Sequence, residues 1–291
     1  MSSRKRKATD QGGEKAEKED VKQTWTVTWS DAVENHAGMQ MLGKMAPKGF
    51  SVEQVQGCVD VMTAKGCACE VIDLEQALPQ HLRTSGSRAT LGIIRKGTTA
   101  MSSSNNNNDS SAALHEEIKS SRKIVDKQAF MRGRVVNKRA RYNLCYGEQT
   151  QEPDYANKKG RVVAFSSTPE LNHVRKELGV VFGDDFKGLL AELNYYYDHT
   201  STGIGFHGDG ERRRVVGMRV GDTMDLQYQW YHKGEPVGTR VTVSLADGDM
   251  YVMSDKTVGT DWKKRNVPTL RHAAGAAKFT TITQKKKQKS A

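Results

Sequence analysis

The residues best suited to chemistry lie together in Gly203-Ile204-Gly205-Phe206-His207-Gly208-Asp209-Gly210-Glu211. On an extended strand, side chains i and i+2 share a face, so His207 and Asp209 present an imidazole and a carboxylate to one space. A second imidazole, His272, follows much later in Thr269-Leu270-Arg271-His272-Ala273. Two histidines and one carboxylate on one face of a metal leave the opposite positions open, the donor set of non-haem Fe(II) oxygenases. A bare His-x-Asp is common by chance, so the elements that must position these three groups decide what the motif is worth.

From Ala140 onward the chain reads as short β-like runs separated by turn signals: 142–146, 161–165, 193–197, 204–208, 215–220, 224–230, 239–245, 250–253, 269–273 and 278–283. Met224, Leu226, Tyr228 and Trp230 share one face, while Asp225, Gln227, Gln229 and Tyr231 take the other. One helix interrupts the series, with Pro169 in its first turn and Leu171, Val174 and Leu178 on one side. Gly- and Asp-containing turns between many short strands point to an antiparallel sandwich or jelly roll.

Within this pattern, residues from about 140 to 284 resemble the AlkB-like family of Fe(II)/2-oxoglutarate-dependent dioxygenases. The resemblance is carried by Asn194-x-Tyr196, His207-x-Asp209 followed by Glu211, the Gly248-Asp249 turn into an apolar strand, the distal His272, and a basic residue on the last run. It implies a mainly β (α+β) protein whose core is a double-stranded β-helix with flanking helices. It also implies that His207, Asp209 and His272 bind Fe(II), that Asn194, Tyr196 and Lys278 bind 2-oxoglutarate, and that O2 is the oxidant. The implied reaction hydroxylates N-alkyl groups on nucleic-acid bases, releasing formaldehyde, with CO2 and succinate as co-products. Glu211 matches an acidic position that reaches toward the substrate base. Relatives finish with Arg-x-Asn-x-x-x-Arg, whereas this chain has Lys278-Phe279-Thr280-Thr281-Ile282-Thr283-Gln284. Lys278 supplies a cation without the bidentate fork of arginine, and Gln284 offers only a neutral amide.

A base inside a duplex is out of reach, so such an enzyme flips it or takes a single strand, stacking it on aromatic rings and holding phosphates with cations. Tyr146, Tyr155 and Arg213 are the candidates for those contacts, and Trp230 and Trp262 are assigned to packing. Two other functions fit the sequence: an oxygenase of the same fold acting on a protein or a 5-methyl base with a stable product, and a non-catalytic jelly-roll module that binds nucleic acid.

The remaining sequence divides by composition. Residues 1–23 form a basic, polar tail with nothing to bury, 99–113 are a Ser/Asn-rich linker, and 285–291 are a basic tail. Residues 24–98 read as a small α/β accessory unit: Trp25, Val27 and Trp29 alternate, Val52, Val55, Val59 and Met62 recur at helical spacing, and 70–72 and 90–94 are strand-like. His36, alone there without a second ligand, is assigned no chemistry. Residues 114–284 are then the catalytic domain. Lys and Arg number 45 against 34 Asp and Glu, a net charge of +11, which favours an anionic partner such as nucleic acid. Four cysteines without a CxxC pair indicate neither a disulfide framework nor structural zinc. With no apolar run approaching the ~18 residues of a membrane span, the expectation is a monomeric intracellular protein, nuclear or cytoplasmic.

Overall fold

The computed structural model describes residues 21–102 and 111–282. Its strands are β1 (Thr24–Ser30), β2 (Ala32–Glu34), β3 (Met41–Gly43), β4 (Cys69–Asp73), β5 (Thr90–Ile94), β6 (Gln128–Met131), β7 (Arg134–Asn137), β8 (Tyr142–Gly147), β9 (Val162–Ala164), β10 (Leu190–Tyr196), β11 (Gly203–His207), β12 (Val215–Gly221), β13 (Met224–His232), β14 (Glu235–Leu245), β15 (Met250–Met253) and β16 (Thr269–Gly275). The helices are α1 (Val52–Ala64), α2 (Gly97–Met101), α3 (Ala112–Ser120), α4 (Pro169–Phe182), α5 (Asp255–Val258) and α6 (Ala277–Thr280). The class is α+β, dominated by strands.

Period-two alternation builds the main sheet. Its order is β4-β5-β15-β12-β1-β10-β8-β9, antiparallel except for the parallel β8–β9 pair. Trp25, Val27 and Trp29 of β1, Leu193 and Tyr195 of β10, and Val216 and Met218 of β12 all point to one side, where they form a core with Val55 and Met62 of α1 and with Leu171, Val174 and Leu178 of α4. Burying each large apolar side chain there contributes ~1.5–3 kcal/mol. The opposite side of the sheet meets a second sheet, ordered β11-β16-β13-β14. Leu91, Val215, Tyr251 and Met253 from the first sheet pack on Leu226, Tyr228, Trp230 and Leu270 from the second. The layers are therefore helices, large sheet and small sheet.

Local signals set the helix ends. Ser51 caps α1 with its hydroxyl on the Gln54 N–H while the Gln54 side chain returns to the Ser51 N–H. Pro169 opens α4, and Gly183 at φ 99° closes it.

Residues 24–98, read as an accessory unit, contribute β1, β4 and β5 to the main sheet, and β1 lies at its centre between β10 and β12. The run expected as a final strand from Lys278 instead turns at Gly275 (φ 92°) into α6, where the Phe279 ring covers the open backbone of Gly203. Most of the 99–113 linker and both terminal tails fall outside the described residues. All four cysteines are free thiols. No helix among the described residues is long and apolar enough to cross a membrane.

Candidate metal centre and its cavity

Strands β11 and β16 run antiparallel with His207 opposite His272. His207 Nδ1 lies 2.8 Å from the Gly205 carbonyl and 3.1 Å from that of His272, so this nitrogen carries the proton and donates it. Its Nε2 lies 3.4 Å from Asp209 Oδ1, and His272 Nε2 lies 3.5 Å from the same oxygen. Donor atoms of the three residues all fall within 4.8 Å of one another. Asp209 is fixed by its N–H on the Val258 carbonyl at 3.0 Å. The loop can approach so closely because residue 208 is glycine: a Cβ there would lie 2.0 Å from the Gly259 carbonyl oxygen.

Burial alone raises the Asp209 carboxyl, but the Arg212 guanidinium and the two imidazoles outweigh it and hold the group well below the usual carboxylate range. Burial and the neighbouring His207 push His272 below its ordinary value, against the pull of Asp209. Near neutral pH Asp209 is thus a carboxylate and His272 a neutral imidazole, the forms in which these two groups bind a divalent cation.

Arg212 is buried and joins three carboxylates. Its Nη2 donates to Glu192 Oε2 and, at 2.7 Å, to Glu211 Oε1, and its Nε lies 3.6 Å from Asp209 Oδ2. Glu192 Oε1 also accepts from Asn143 Nδ2 at 3.1 Å and Asn194 Nδ2 at 3.2 Å. Asn194 Oδ1 in turn accepts from Asn143 Nδ2 at 2.6 Å and Arg141 Nε at 2.5 Å. These side chains stand on the inner face of the large sheet because the alternation that sends Leu193 and Tyr195 to the helices sends Glu192, Asn194 and Tyr196 the other way.

The triad opens into a cavity of about 730 Å³ between the sheets. At its wall Arg219, only 2% exposed, keeps Nε and Nη1 without a hydrogen-bond partner, and Thr26 Oγ1 is also buried and unpartnered. The buried phenol of Tyr228, beside His272, has no partner either. Burial drives the phenols of Tyr196, Tyr228 and Tyr251 upward, so they stay protonated around the guanidinium. The mouth is formed by the turn Glu34–Gly38, by Phe206, and by Trp262 and Lys263. Burial, with the cations Lys138 and Arg141 nearby, lowers His36 to about 4, while burial raises Glu34.

Of the residues singled out in the sequence, His207, Asp209, His272, Asn194, Tyr196 and Glu211 line this cavity. Four others do not. Lys278 lies on α6 with its ammonium 5.3 Å from the Phe279 ring centre. Tyr146 shares the helix-facing side of β8 with Leu144 and stacks on Phe165. Tyr155 donates its hydroxyl to Asp126 at 2.6 Å. Arg213 is held through its N–H on Asp31 at 3.0 Å and reaches Asp255 in a separate cavity of about 370 Å³. Gln284 lies outside the described residues. Conversely, Trp262, assigned to packing, lines the mouth, as does His36. Arg219, Thr26 and Arg141 were missed altogether. Arg219 had a signal: it is the charge inside the apolar run 215–220, on the face opposite Val216, Met218 and Val220.

No family model matches the chain. Over 260 residues it is 45% identical to "Uncharacterized protein R156" of Acanthamoeba polyphaga mimivirus, an alignment covering 89% of this chain and 98% of the viral protein. The chain belongs to the family of that mimivirus protein. The match is close to full length on both sides, so the two proteins share one architecture, and the viral relative's description brings no activity with it.

Proposed function

We propose that this protein is an Fe(II)/2-oxoglutarate-dependent dioxygenase built on a double-stranded β-helix, which removes N-alkyl groups from nucleic-acid bases by hydroxylation. One observation carries the reading: a convergent His207–Asp209–His272 donor set and a buried guanidinium with unpartnered N–H groups, Arg219, face the same cavity. An unpaired charge in a protein interior is costly, and a bound anion relieves that cost. The donor set fits a divalent cation of the iron class, with three ligands on one face and the rest of the coordination sphere open to the cavity. Bound iron supplies O2 activation coupled to decarboxylation of the keto acid, leaving succinate and CO2.

The chain's own residues do the rest. Arg219 and Thr26, in place of Lys278, hold the distal carboxylate of 2-oxoglutarate, and the protonated tyrosines around them exclude water. Arg212 orients Asp209 while neutralising Glu192 and Glu211. Arg141 and Asn143 donate to Asn194 Oδ1 while its Nδ2 donates to Glu192, so Asn194 shapes the wall and holds Glu192 toward Arg212. Glu34, Glu211, Phe206 and Trp262 surround the entrance through which a base reaches the metal.

The test is succinate and formaldehyde formation by protein loaded anaerobically with Fe(II), then given 2-oxoglutarate, O2 and an N-methylated single-stranded oligonucleotide. Turnover stimulated by the oligonucleotide and abolished by Asp209→Ala is expected. Succinate with a retained hydroxyl product points instead to the alternative substrates, a protein or a 5-methyl base. Absence of both metal binding and succinate leaves the non-catalytic binding module.

A further inference from the structure

The second cavity, of about 370 Å³, is walled by Arg88, Arg213, Lys256 and Lys264 together with the carboxylates of Asp255 and Asp261. Two of these cations are already engaged. Lys256 Nζ donates to Asp261 at 2.8 Å and to the Pro268 carbonyl at 2.7 Å, and Arg88 pairs with Glu53 at 3.0 Å. The other two keep donors to spare. Arg213 reaches Asp255 with Nη1 alone, at 3.4 Å, and among the described residues no acceptor meets its other guanidinium N–H groups. Lys264 is exposed and forms no ion pair among the described residues. The root of Arg213 is fixed although its head is not: its N–H donates to Asp31 at 3.0 Å, and its carbonyl abuts residue 49, where a Cβ would lie 2.6 Å from that oxygen. A planar guanidinium fork beside an ammonium point charge is the pair of donors that recognises a phosphate group. The volume falls at the lower end of the ~300–1,000 Å³ of small-molecule sites.

The loop from Gly259 to Lys264 belongs to both cavities. Thr260, Asp261 and Lys264 line the second one, whereas Trp262 and Lys263 line the mouth of the metal cavity. Trp262 also lies against the metal-binding turn, since a Cβ on Gly208 would lie 2.8 Å from Trp262 Cβ. Lys256 clamps the loop through Asp261 and Pro268, so a pull on Lys264 acts on the short span that carries Trp262. We infer that the second cavity binds a phosphate group, free or as the monoester of a small molecule, on Arg213 and Lys264, and that its occupancy is transmitted through this loop to Trp262 at the mouth of the metal cavity. The inference goes beyond the oxygenase reading and does not depend on it.

The experiment is calorimetric titration of the metal-free full-length protein with inorganic phosphate, ribose 5-phosphate and ribose at constant ionic strength. Both phosphates are expected to bind and ribose is not. Arg213→Gln and Lys264→Gln each weaken binding by about tenfold, the loss of one charge-assisted contact. Two controls keep wild-type affinity: Lys263→Gln, which removes the same charge from the adjoining residue, and Arg219→Met, which removes a cation of the metal cavity. Saturation with ribose 5-phosphate changes the tryptophan fluorescence, and Trp262→Phe abolishes the change. Equal affinity for the two phosphates assigns the site to the free anion, and tighter binding of the ester assigns it to a monoester. Equal losses in Lys264→Gln and Lys263→Gln overturn the site, because the attraction is then only net charge. A loss confined to Arg219→Met also overturns it, since the anion then occupies the metal cavity. Wild type that binds neither phosphate overturns it outright, and binding with unchanged fluorescence overturns the transmission to Trp262.

Discussion

Arg219 of β12 sits directly opposite Thr26 of β1 in the sheet register, and both turn buried, unpartnered polar atoms into the same cavity. If this pair holds an anion, Arg219→Met weakens 2-oxoglutarate binding by ~2–4 kcal/mol, roughly 30- to 1000-fold, the range for losing charge-assisted hydrogen bonds. The same substitution removes an uncompensated buried charge, so the ligand-free variant is expected to unfold at the same or a higher temperature. Titration calorimetry with Mn(II) present, together with a thermal melt, checks both. Lys278→Ala, outside the cavity, serves as the control with unchanged affinity; a loss there equal to that of Arg219→Met defeats the assignment.

The Arg212–Glu192 pair lends itself to a double-mutant cycle. Removing one partner of a buried pair costs about 3–5 kcal/mol, because the other charge stays buried. Arg212→Met also leaves Asp209 without its nearest cation and is expected to weaken metal binding. The double variant Arg212→Met/Glu192→Leu is expected to regain part of the folding stability without regaining metal affinity. Urea denaturation and metal titration separate the two effects, and additive losses of stability count against the coupling.

Gly217 faces Tyr251 across the β12–β15 ladder, and a Cβ on it would lie 1.8 Å from the Tyr251 ring. No rotamer of a packed ring absorbs that overlap, so Gly217→Ala forces the tyrosine toward the cavity. The expected cost is about 1–3 kcal/mol, with 2-oxoglutarate binding impaired alongside it. Denaturation midpoints near wild type mean that the ring has room to move.

His36 supplies a pH test. Its pKa is depressed from 6.5 to about 4, chiefly by burial, so the unfolded chain binds the proton more readily than the native state. Its contribution to stability is complete above pH 6.5 and disappears as pH falls through 4. A His36→Gln variant is expected to show a shallower loss of stability across that window, measured as urea midpoints at successive pH values. Parallel curves for variant and wild type contradict the burial effect.

The sequence revealed what local alternation and spacing encode. The inward face of β13, the helix beginning at Pro169, and the convergence of His207, Asp209 and His272 each rest on a few neighbouring residues or on one motif. What escaped depends on which strands become neighbours. Arg219 looks like any charge in a half-buried strand until β1 lies beside it and closes off its solvent. Lys278 reads as a strand cation because the run after it alternates, but Gly275 turns the chain and Phe279 has a backbone gap at Gly203 to fill. The hairpin at 128–137 is hidden by its charge, since exposed arginines blur the alternation that marks a strand.

The central position of β1 also dictates the order of assembly. Thr24 pairs with Tyr196 on one side and Gly221 on the other. Once made, β1 must therefore wait for about 160 further residues before β10 begins and about 185 before β12 does. Its apolar face, Trp25, Val27 and Trp29, stays without its final partners during that interval. Closure of the large sheet is thus a late event dominated by contacts distant in sequence, the arrangement that slows folding. Nascent chains of this protein are accordingly expected to depend on chaperones that hold the exposed β1 until β12 has been made.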